Sequence, residues 1–416
     1  MGTNQPKTIP QGYKATALGI IPQEWEVRPL NYLGAICSGG TPDTEVAEYW
    51  NGDIAWCTPS DITKLDTKYI ESTEVKITAK GLKESSATLL PPRSIVVCTR
   101  ATIGNAAICN TEIATNQGFK NIIPNEKTNP EWLYYIIIYS KPRLVRFGCG
   151  STFLEVSKKD FSRFKIAVPP LAEQRKIAEV LGVWDEAIEK QTRLIEKLAL
   201  RKRALMQRLL SAKLRLPGFS EPWKKVNYSD ILKEVRRTLT WDENELYDLI
   251  SVRRRSGGVF HRESLYGHEI KTKTLRPALE GDFLISKMQI VHGASGVVPK
   301  QLSGMKISGS YIALIAKDPK ELNINYFNLW SQMPLFYHQT FVSSYGVHIE
   351  KMTFDLDAFM SLSMNLPPIE EQNKIVEVIS TATNEIELAK EKLERLRRQK
   401  RGLMQQLLTG KKRVKY

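Results

Sequence analysis

Few residues of this sequence have types and spacings that could carry out catalysis. Asp61 and the run Glu74-Val75-Lys76 match the loose acidic-x-lysine spacing of many nucleases, but this spacing is common by chance and has no counterpart in the second half. Asn365-Leu366-Pro367-Pro368 nearly matches the Asn-Pro-Pro-aromatic motif of adenine methyltransferases, but Leu366 interrupts it and a helix pattern follows. No G-x-x-x-x-G-K-[ST] phosphate-binding loop occurs. We therefore predict that the chain is not an enzyme.

The residue types that most often bind metals are segregated along the chain. All five cysteines lie in the first half and show no C-x-x-C pair, whereas all five histidines lie in the second half. This separation argues against a mixed Cys/His zinc site and against a Cys/His catalytic pair. We predict no metal site, and reduced, mostly structural thiols of a cytosolic protein.

The charge of the chain favours an anionic partner. Its 416 residues carry a formal net charge of +15. An excess of this size makes nucleic acid the first class of partner to consider. The longest apolar run, Trp132–Tyr139, is too short to span a bilayer. The N-terminus lacks the apolar core of a signal peptide. We predict a cytoplasmic protein with no membrane partner.

One long stretch of the sequence occurs twice. Val168–Ser211 and Leu366–Thr409 align without a gap, at an offset of 366 minus 168, or 198 residues. Both copies begin with Pro-Pro, which suits a helix start because the first helical N–H groups have no partner within the helix. Apolar residues then recur at steps of three and four, which is a heptad pattern. Each copy is predicted to form one helix of about forty residues, roughly 60 Å long.

Polar residues interrupt this heptad pattern in both copies. Lys202 and Lys400 occupy the same place in the two copies, and Gln191 stands where the second copy has Ala389. A polar residue in the seam can fix the register of a coiled coil at some cost in stability. Alternatively, the lysines can extend their charged ends into water near a fraying helix end. The sequence leaves both interpretations open.

The chain alternates globular segments with these helices. We predict a first globular domain at 1–166, with a flexible or peripheral lead-in over 1–18, and a first helix at 167–212. A second domain at 213–365 and a second helix with a basic tail at 366–416 follow. Strand and helix candidates recur in the same order in both domains. They are Leu89–Arg100 with Leu275–Met288, Ile103–Cys109 with Val291–Pro299, Asn116–Pro124 with Ser308–Ala316, and Glu131–Pro142 with Asn325–Pro334.

The order of these segments predicts their arrangement. Few residues separate the first helix from the second domain, and the second helix begins where that domain ends. The second helix therefore most simply runs back along the first. The predicted fold class is α+β, with two globular mixed α/β domains separated by two long antiparallel helices that form a coiled coil. The duplication gives it internal pseudo-two-fold symmetry.

Over essentially its whole length the chain resembles the specificity subunit of type I restriction–modification systems. No single motif is decisive, but the order and duplication of the motifs make the resemblance specific. The stretches that carry it are GGTP and EYWNGDIAWCTPSDI within 39–62, LPPRSIVVCTRATIGNAAI at 90–108, NQGF at 116–119, GST at 150–152, LPGFSEPW at 216–223, both PP-x-x-EQ-x-KI-x-EV helix starts and both LMQ-x-LL helix ends.

The resemblance implies two target-recognition domains, each reading one half of a split site in double-stranded DNA. The helices would set the gap between the halves and dock the partner subunits. It implies two modification subunits that methylate adenine with S-adenosylmethionine, and restriction subunits that use ATP and Mg²⁺. No cofactor is expected in this chain.

Candidate DNA-reading residues lie in loops beside apolar strands. Lys and Arg suit phosphates, whereas Arg, Lys, Asn and Gln suit base edges through paired hydrogen bonds. For any one of them a structural role is as plausible as base contact. In the first domain they are Thr41, Lys64, Arg100, Thr102, Asn105, Asn116, Gln117, Lys120, Ser151 and Thr152. In the second domain they are Arg253, Arg254, Arg255, His261, Lys287, Gln289, His292, Tyr345 and His348.

Two questions stay open at the level of sequence. The basic runs Arg395–Arg401 and Lys411–Lys415 suit either a DNA backbone or a solvated, partner-facing helix end, and we favour the latter. The whole chain could instead be a scaffold whose coiled coil joins two protein-binding domains.

The coiled coil generates a testable prediction. Residues inserted within Leu194–Leu200 should change the gap between the two half-sites without changing either half, because the insertion alters only the spacer. Mapping the methylated adenines of the variant measures both. An unchanged gap would contradict the role of the helices as a ruler.

Overall fold

The computed structural model describes residues 9–148 and 155–415. The chain divides into two compact units, one formed by residues 1–194 and 389–416 and the other by residues 195–388. Each unit holds one globular domain and a part of both long helices. No helix within the described ranges has an apolar stretch long enough to cross a membrane.

The first domain is a mixed α/β structure built around a five-stranded sheet. The strands are β1 (Tyr13–Thr16), β2 (Gly19–Pro22), β3 (Glu26–Pro29), β4 (Gly34–Ser38), β5 (Trp50–Cys57), β6 (Tyr69–Ile70), β7 (Lys76–Ile77), β8 (Ile95–Cys98), β9 (Ala106–Cys109), β10 (Ile113–Thr115), β11 (Phe119–Pro124) and β12 (Lys165–Val168). The five-stranded sheet has the strand order β4-β11-β8-β9-β6, and a three-stranded sheet has the order β10-β5-β7. The helices are α1 (Pro59–Lys64), α2 (Ala79–Lys83), α3 (Pro130–Phe147) and α4 (Lys158–Arg163), and the first long helix is α5 (Leu171–Leu210).

The second domain repeats this plan with a four-stranded sheet in the order β14-β21-β18-β19 and a second sheet in the order β16-β15-β20-β17. Its strands are β13 (Lys224–Asn227), β14 (Leu232–Glu234), β15 (Leu246–Val252), β16 (Val259–Tyr266), β17 (Arg276–Pro277), β18 (Phe283–Ser286), β19 (Ser295–Val297), β20 (Lys306–Ile307), β21 (Tyr311–Ala316), β22 (Ser344–Tyr345), β23 (Thr353–Phe354) and β24 (Ser363–Leu366). Its helices are α6 (Tyr228–Ile231), α7 (Ile324–Trp330), α8 (Pro334–Val342) and α9 (Leu356–Met360), and the second long helix is α10 (Ile369–Leu408).

The predicted repeat extends beyond the helices into the domains. Strand β12 pairs antiparallel with β3, and β24 pairs with β13 in the same register. Lys165 faces Pro29 in the first pair, and Ser363 faces Asn227 in the second, so both members shift by the same offset. In each domain the pairing brings a strand from the start of the domain to its last strand, where the long helix begins.

The two long helices confirm the prediction from the heptad pattern. Each has 40 residues and begins directly after Pro-Pro. Apolar residues of both helices pack into each globular core. Ile177 and Leu407 contribute to one core, and Leu209 and Ile379 contribute to the other. The helices therefore belong to the domains as much as to each other.

A buried carboxylate closes the first unit. Glu173, at the start of α5, is fully buried. Trp25 Nε1 donates to its Oε2 at 2.8 Å, and the Arg413 guanidinium donates to both carboxylate oxygens at 2.6 and 2.9 Å. A buried charge is stable only when it is paired and hydrogen-bonded. This arrangement, which we call the carboxylate clamp, ties the segment after α10 to the start of α5.

The second unit contains the same clamp. Glu371 is buried and accepts hydrogen bonds from Trp223 Nε1 at 3.0 Å and from the Arg215 guanidinium at 2.7 and 2.9 Å. Glu371 and Trp223 each lie 198 positions after their counterparts in the first clamp. Arg215 lies 198 positions before its counterpart, Arg413. In each unit the end of one long helix therefore lies beside the start of the other, which confirms their antiparallel packing within the units.

The glutamine after each clamp glutamate fastens the helix start to the neighbouring domain helix. Gln174 accepts from the Asn129 N–H at 2.9 Å and donates to the carbonyls of Lys127 and Pro169. Asn129 is the N-cap of α3. Gln372 makes the same three bonds to Asn323, Glu321 and Pro367. The repeated Glu-Gln pair is therefore explained by its structural role, since the glutamate forms the clamp and the glutamine binds the neighbouring helix start.

In the first unit the polar seam residues are buried or half-buried. Gln191 Nε2 donates to the Ala389 carbonyl at 3.0 Å. Lys400 pairs with Asp185, and its side chain is 17% exposed. Its Nζ lies 5.2 Å from the centroid of the Tyr135 ring. Lys400 thus does not extend into water.

Parts of both chain ends have defined partners within the first unit. Strand β1, within the predicted lead-in, pairs antiparallel with β2, and Gly19 at the start of β2 has a φ of 104°. The Tyr13 hydroxyl donates to the Gly410 carbonyl at 3.0 Å. The tail is also not simply solvated, since Arg413 binds both Glu173 and Glu24.

The described cysteines are packing residues. Cys37, Cys57, Cys98 and Cys109 form no disulfide. Burial raises the pKa of Cys98 to about 11 and that of Cys109 to about 12, so both thiols are protonated at neutral pH.

The clamp makes a prediction about stability. Arg215→Ala leaves the Glu371 carboxylate buried without its cation, so the free energy of unfolding of the second unit should fall by about 3–5 kcal/mol. Chemical unfolding followed by tryptophan fluorescence measures the loss. Lys213→Ala, at an exposed neighbouring position, is the matched control and should change stability little. Equal losses in the two variants would contradict the clamp.

Candidate nucleic-acid interface

In the first domain, the β8–β9 loop lies against the turn before β11. The Thr99 N–H donates to the Gly118 carbonyl at 2.8 Å. Ala101 adopts a φ of 53°, a left-handed conformation that is costly for a residue with a Cβ. Asn116 Oδ1 accepts from the Gly118 N–H at 2.9 Å, so this amide shapes the turn. Gln117, at the tip of the turn, is exposed.

One glutamate organises the cations of this surface. Glu155 forms an isolated β-bridge with Arg100, whose guanidinium contacts its carboxylate at 2.7 Å. Lys120 Nζ lies 3.5 Å from the other carboxylate oxygen, and the Lys120 side chain is 7% exposed. Burial lowers the pKa of Lys120, and the Glu155 carboxylate opposes part of that shift. The carboxylate thus holds a buried ammonium and an exposed guanidinium side by side.

The Gly39-Gly40 segment packs beside the same turn. A Cβ on Gly39 would lie 1.9 Å from the Asn116 carbonyl oxygen, so this close approach requires glycine. The Gly40 carbonyl accepts from Trp56 Nε1 at 2.9 Å. Thr41 follows directly, and is therefore carried to this side of the domain.

In the second domain, the loop between β15 and β16 is held against the β18–β19 loop. Arg255 and Ser256 have φ values of 57° and 54°. Their N–H groups donate to the carbonyls of His292 and Gly293 at 2.7 and 2.8 Å. The Arg253 guanidinium lies 4.0 Å from the centroid of the Phe260 ring. The arginines are thus presented by a fixed backbone.

A glutamate also organises this second surface. Glu350 contacts the Arg254 guanidinium at 2.8 Å and His292 Nε2 at 3.1 Å. It lies just after the tip of the hairpin formed by β22 and β23. The Phe354 N–H of that hairpin donates to the Lys287 carbonyl at 3.0 Å. The hairpin, the arginine loop and the β18–β19 loop therefore form one surface.

The tip of the β22–β23 hairpin projects from the domain. Tyr345 is 65% exposed and Val347 is 96% exposed. His348 is also exposed. Aromatic, apolar and imidazole groups at a basic surface suit contacts with base edges and thymine methyl groups.

A family model matches the chain twice, once over each domain. The model described as the type I restriction modification DNA specificity domain matches residues 22–199 and 220–398. The two matches cover well over half of the chain. This chain belongs to the type I specificity subunit family.

Individual relatives agree with the family assignment. The type I restriction enzyme MjaIX specificity subunit of Methanocaldococcus jannaschii is 39% identical over 193 residues, a match that spans 45% of this chain and 45% of the relative. The chain therefore spans less than half the length of this relative. The MjaVIII specificity subunit of the same organism is 24% identical over 430 residues, or 95% of this chain and 94% of the relative.

A solved structure shows the same fold. A chain from a study of complex assembly and conformational transition of the type I R-M system is 18% identical. It has a TM-score of 0.61, with 94% of this chain and 99% of that chain covered. The predicted family and fold class are confirmed. Catalysis in this family belongs to other subunits, so the prediction that this specificity subunit is not an enzyme is confirmed as well.

The nuclease interpretation of Asp61 is wrong, because its carboxylate is occupied structurally. Asp61 is buried and accepts from the Thr58 N–H at 2.7 Å, which caps α1. Its other oxygen accepts from the Glu74 N–H at 3.1 Å. The Glu74 side chain instead pairs with Lys64 at 2.7 Å.

The structure brings together many, but not all, of the predicted DNA-reading residues of this specificity subunit. Lys64 pairs with Glu74, and His261 lies beside Ser264 and Asp248, so neither is part of the two clusters. Asn105 accepts from Lys141 at 2.6 Å at the edge of the first surface. Ser151 and Thr152 lie outside the described residues. The clustered residues are Thr41, Arg100, Thr102, Asn116, Gln117 and Lys120 in the first domain, and Arg253, Arg254, Arg255, Lys287, Gln289, His292, Tyr345 and His348 in the second.

Sequence reasoning missed the two organising glutamates. Neither Glu155 nor Glu350 belongs to a motif, and an acidic residue is not expected at a DNA-binding surface. Lys141, which reaches Asn105 from α3, was missed too. A search for a carboxylate close to each basic loop could have suggested the glutamates, but only the folded chain selects them.

The burial of Lys120 generates a prediction. Glu155→Ala leaves this ammonium with no carboxylate, so the free energy of unfolding should fall by about 1–3 kcal/mol. Adding Lys120→Met should restore most of that loss, because it removes the buried charge. Urea unfolding of the single and double variants measures both effects.

Glu350→Ala is the matched control in the second domain. The Glu350 and Arg254 side chains are 58% and 50% exposed. Exposed ion pairs contribute less than about 1 kcal/mol. A loss in this control as large as that of Glu155→Ala would show that burial of Lys120 is not the cause.

Proposed function

We propose that this chain recognises an asymmetric, interrupted site in double-stranded DNA, with one half read by each domain. The observation that carries the proposal is the pair of clusters at equivalent loops. In each domain one glutamate contacts two basic side chains beside equivalent loops, the β8–β9 loop in the first domain and the β18–β19 loop in the second. The side chains differ between the domains, so the two half-sites should differ.

The long helices are the natural spacer between the half-sites. Forty residues of α-helix extend about 60 Å, which is between one and two turns of DNA at roughly 34–36 Å per turn. The clamps fix the two ends of these helices in each unit. A fixed spacer length gives a fixed number of unread base pairs.

Membership of the family supports a proposal about the partners. We propose that two modification subunits and the restriction subunits dock on the helices, whose exposed faces carry Val183, Leu194, Leu200 and Leu388. S-adenosylmethionine, ATP and Mg²⁺ would act in those subunits and not in this chain. The assembly would work in the cytoplasm, where thiols such as the unpaired, described cysteines of this chain stay reduced.

Variants at the tip of the turn before β11 and at the tip of the β22–β23 hairpin test whether each domain reads one half-site. Gln117→Ala should relax the sequence preference at about one position of the first half-site only, and His348→Ala should do so in the second half only. A lost paired contact to a base is worth about 1–3 kcal/mol of discrimination. Sequencing of methylated adenines after reaction with the modification subunits gives both halves at once.

His268→Ala is the control, because this exposed histidine bonds the Glu243 carbonyl outside the two clusters. It should leave both halves unchanged. Relaxation of both halves by either tip variant would contradict reading of one half per domain.

The dependence of DNA affinity on salt separates this proposal from the protein-binding scaffold. Phosphate contacts release counterions, so the affinity of the chain with its modification subunits should fall steeply as salt increases. Titration of a labelled duplex at several salt concentrations measures the slope. A flat dependence would favour the scaffold.

A further inference from the structure

A basic cleft lies between the arginine loop of the second domain and the part of α5 in the same unit. Its volume is about 440 Å³, and its lining includes Lys202 and Arg203 from the helix and Arg255, Ser256 and Tyr337 from the domain. None of the described residues that line it is acidic. The cleft therefore gathers three cationic groups and two hydroxyls around one open space.

The domain side of the cleft is rigid. Ser256 Oγ lies 2.8 Å from Tyr337 Oη. A Cβ on Gly293 would lie 2.1 Å from that same Tyr337 oxygen, so this packing requires glycine. Arg255 and Ser256 keep left-handed backbone conformations, which persist only where the surroundings impose them. The strain places Arg255 at the cleft and leaves its guanidinium exposed.

The equivalent place in the first unit has a different charge balance. There Lys400, the counterpart of Lys202, binds the Asp185 carboxylate. The second unit has Thr383 at the position equivalent to Asp185, 198 residues later, and its hydroxyl donates to the Ile379 carbonyl. The repeat thus keeps the lysine in both units, whereas the position of Asp185 is occupied by a threonine in the second unit.

We propose that this cleft binds a phosphate group, namely a backbone phosphate beside the second half-site of the DNA. The inference rests on the proposed function and adds a contact from the spacer helix to it. Guanidinium groups bind phosphate oxygens through paired hydrogen bonds, and hydroxyls complete such a site. A free phosphate would share this chemistry. The backbone is favoured because Arg255 adjoins Arg254, which lies in the cluster with Glu350 and His292.

The test uses the complete complex of this chain with its modification subunits. Arg203→Gln and Arg255→Gln are chosen because both side chains are exposed, so the fold should persist. The double variant should bind all duplexes more weakly, lower the slope of log affinity against log salt by about one, and methylate an unchanged sequence. Arg401→Gln, at the position equivalent to Arg203, is the matched control and should keep the wild-type slope.

Neutral methylphosphonate linkages then locate the phosphate. These linkages are introduced one at a time through the second half-site and its flanks. One of them should weaken DNA binding by the wild-type complex but have no further effect on binding by the double variant. The Thr383→Asp variant places a carboxylate in the second unit, at the position equivalent to Asp185. Its DNA binding should no longer be weakened by the same linkage. If no linkage behaves in this way, the DNA contact is overturned.

Three further outcomes are distinguishable. Binding of inorganic phosphate to the complex that depends on Arg203 and Arg255, without any sensitive linkage, would overturn the backbone as the source of the phosphate. If the wild-type complex shows no sequence-selective methylation, the proposed function itself is overturned. Selective methylation with an unchanged salt slope in the double variant would overturn only the cleft.

Discussion

The carboxylate clamp is the interaction on which the rest of the structure depends. Glu173 and Glu371 are buried anions, and each is stable only because an indole N–H and a guanidinium reach it from segments remote in sequence. Formation of the clamps requires both long helices and both domain starts to be in place. The clamps thereby make each long helix part of a globular core, so the position of a reading loop relative to its helix start is set by a buried interaction.

The domains combine a shared frame with different loops. The strand pairs β3–β12 and β13–β24, the glutamine bonds at the helix starts and the clamps are equivalent in the two halves of the chain. The loops beside the central sheets are not. Glu155 holds a nearly buried lysine, whereas Glu350, beside the projecting hairpin, holds an exposed arginine and a half-buried histidine from two other loops. A duplicated frame with diverged loops is the arrangement expected of a protein that applies one mode of recognition to two targets.

Much of the frame could be predicted because its signals are local and periodic. The heptad spacing predicted two helices of forty residues, and the order of apolar runs predicted the matching strands β8, β9 and β11 with β18, β19 and β21. The candidate site was predicted less completely. Arg100, Lys120, Arg254 and His292 cluster as expected, whereas Lys64 and His261 pair with neighbouring acidic residues. Residue type indicates what a side chain can bind, but not which competing partner lies within reach.

The sequence by itself determined the duplication, the antiparallel helices, the family and the basic character of the loops, since these follow from repeated spacing and from composition. Only the tertiary structure decided that Asp61 caps a helix, that the tail arginine returns to Glu173, and that Glu155 and Glu350 organise the two surfaces. It also decided that Lys400 meets a carboxylate while Lys202 lines a basic cleft. Each of these outcomes depends on side chains far apart in the sequence, whose distances are set only when the core is packed.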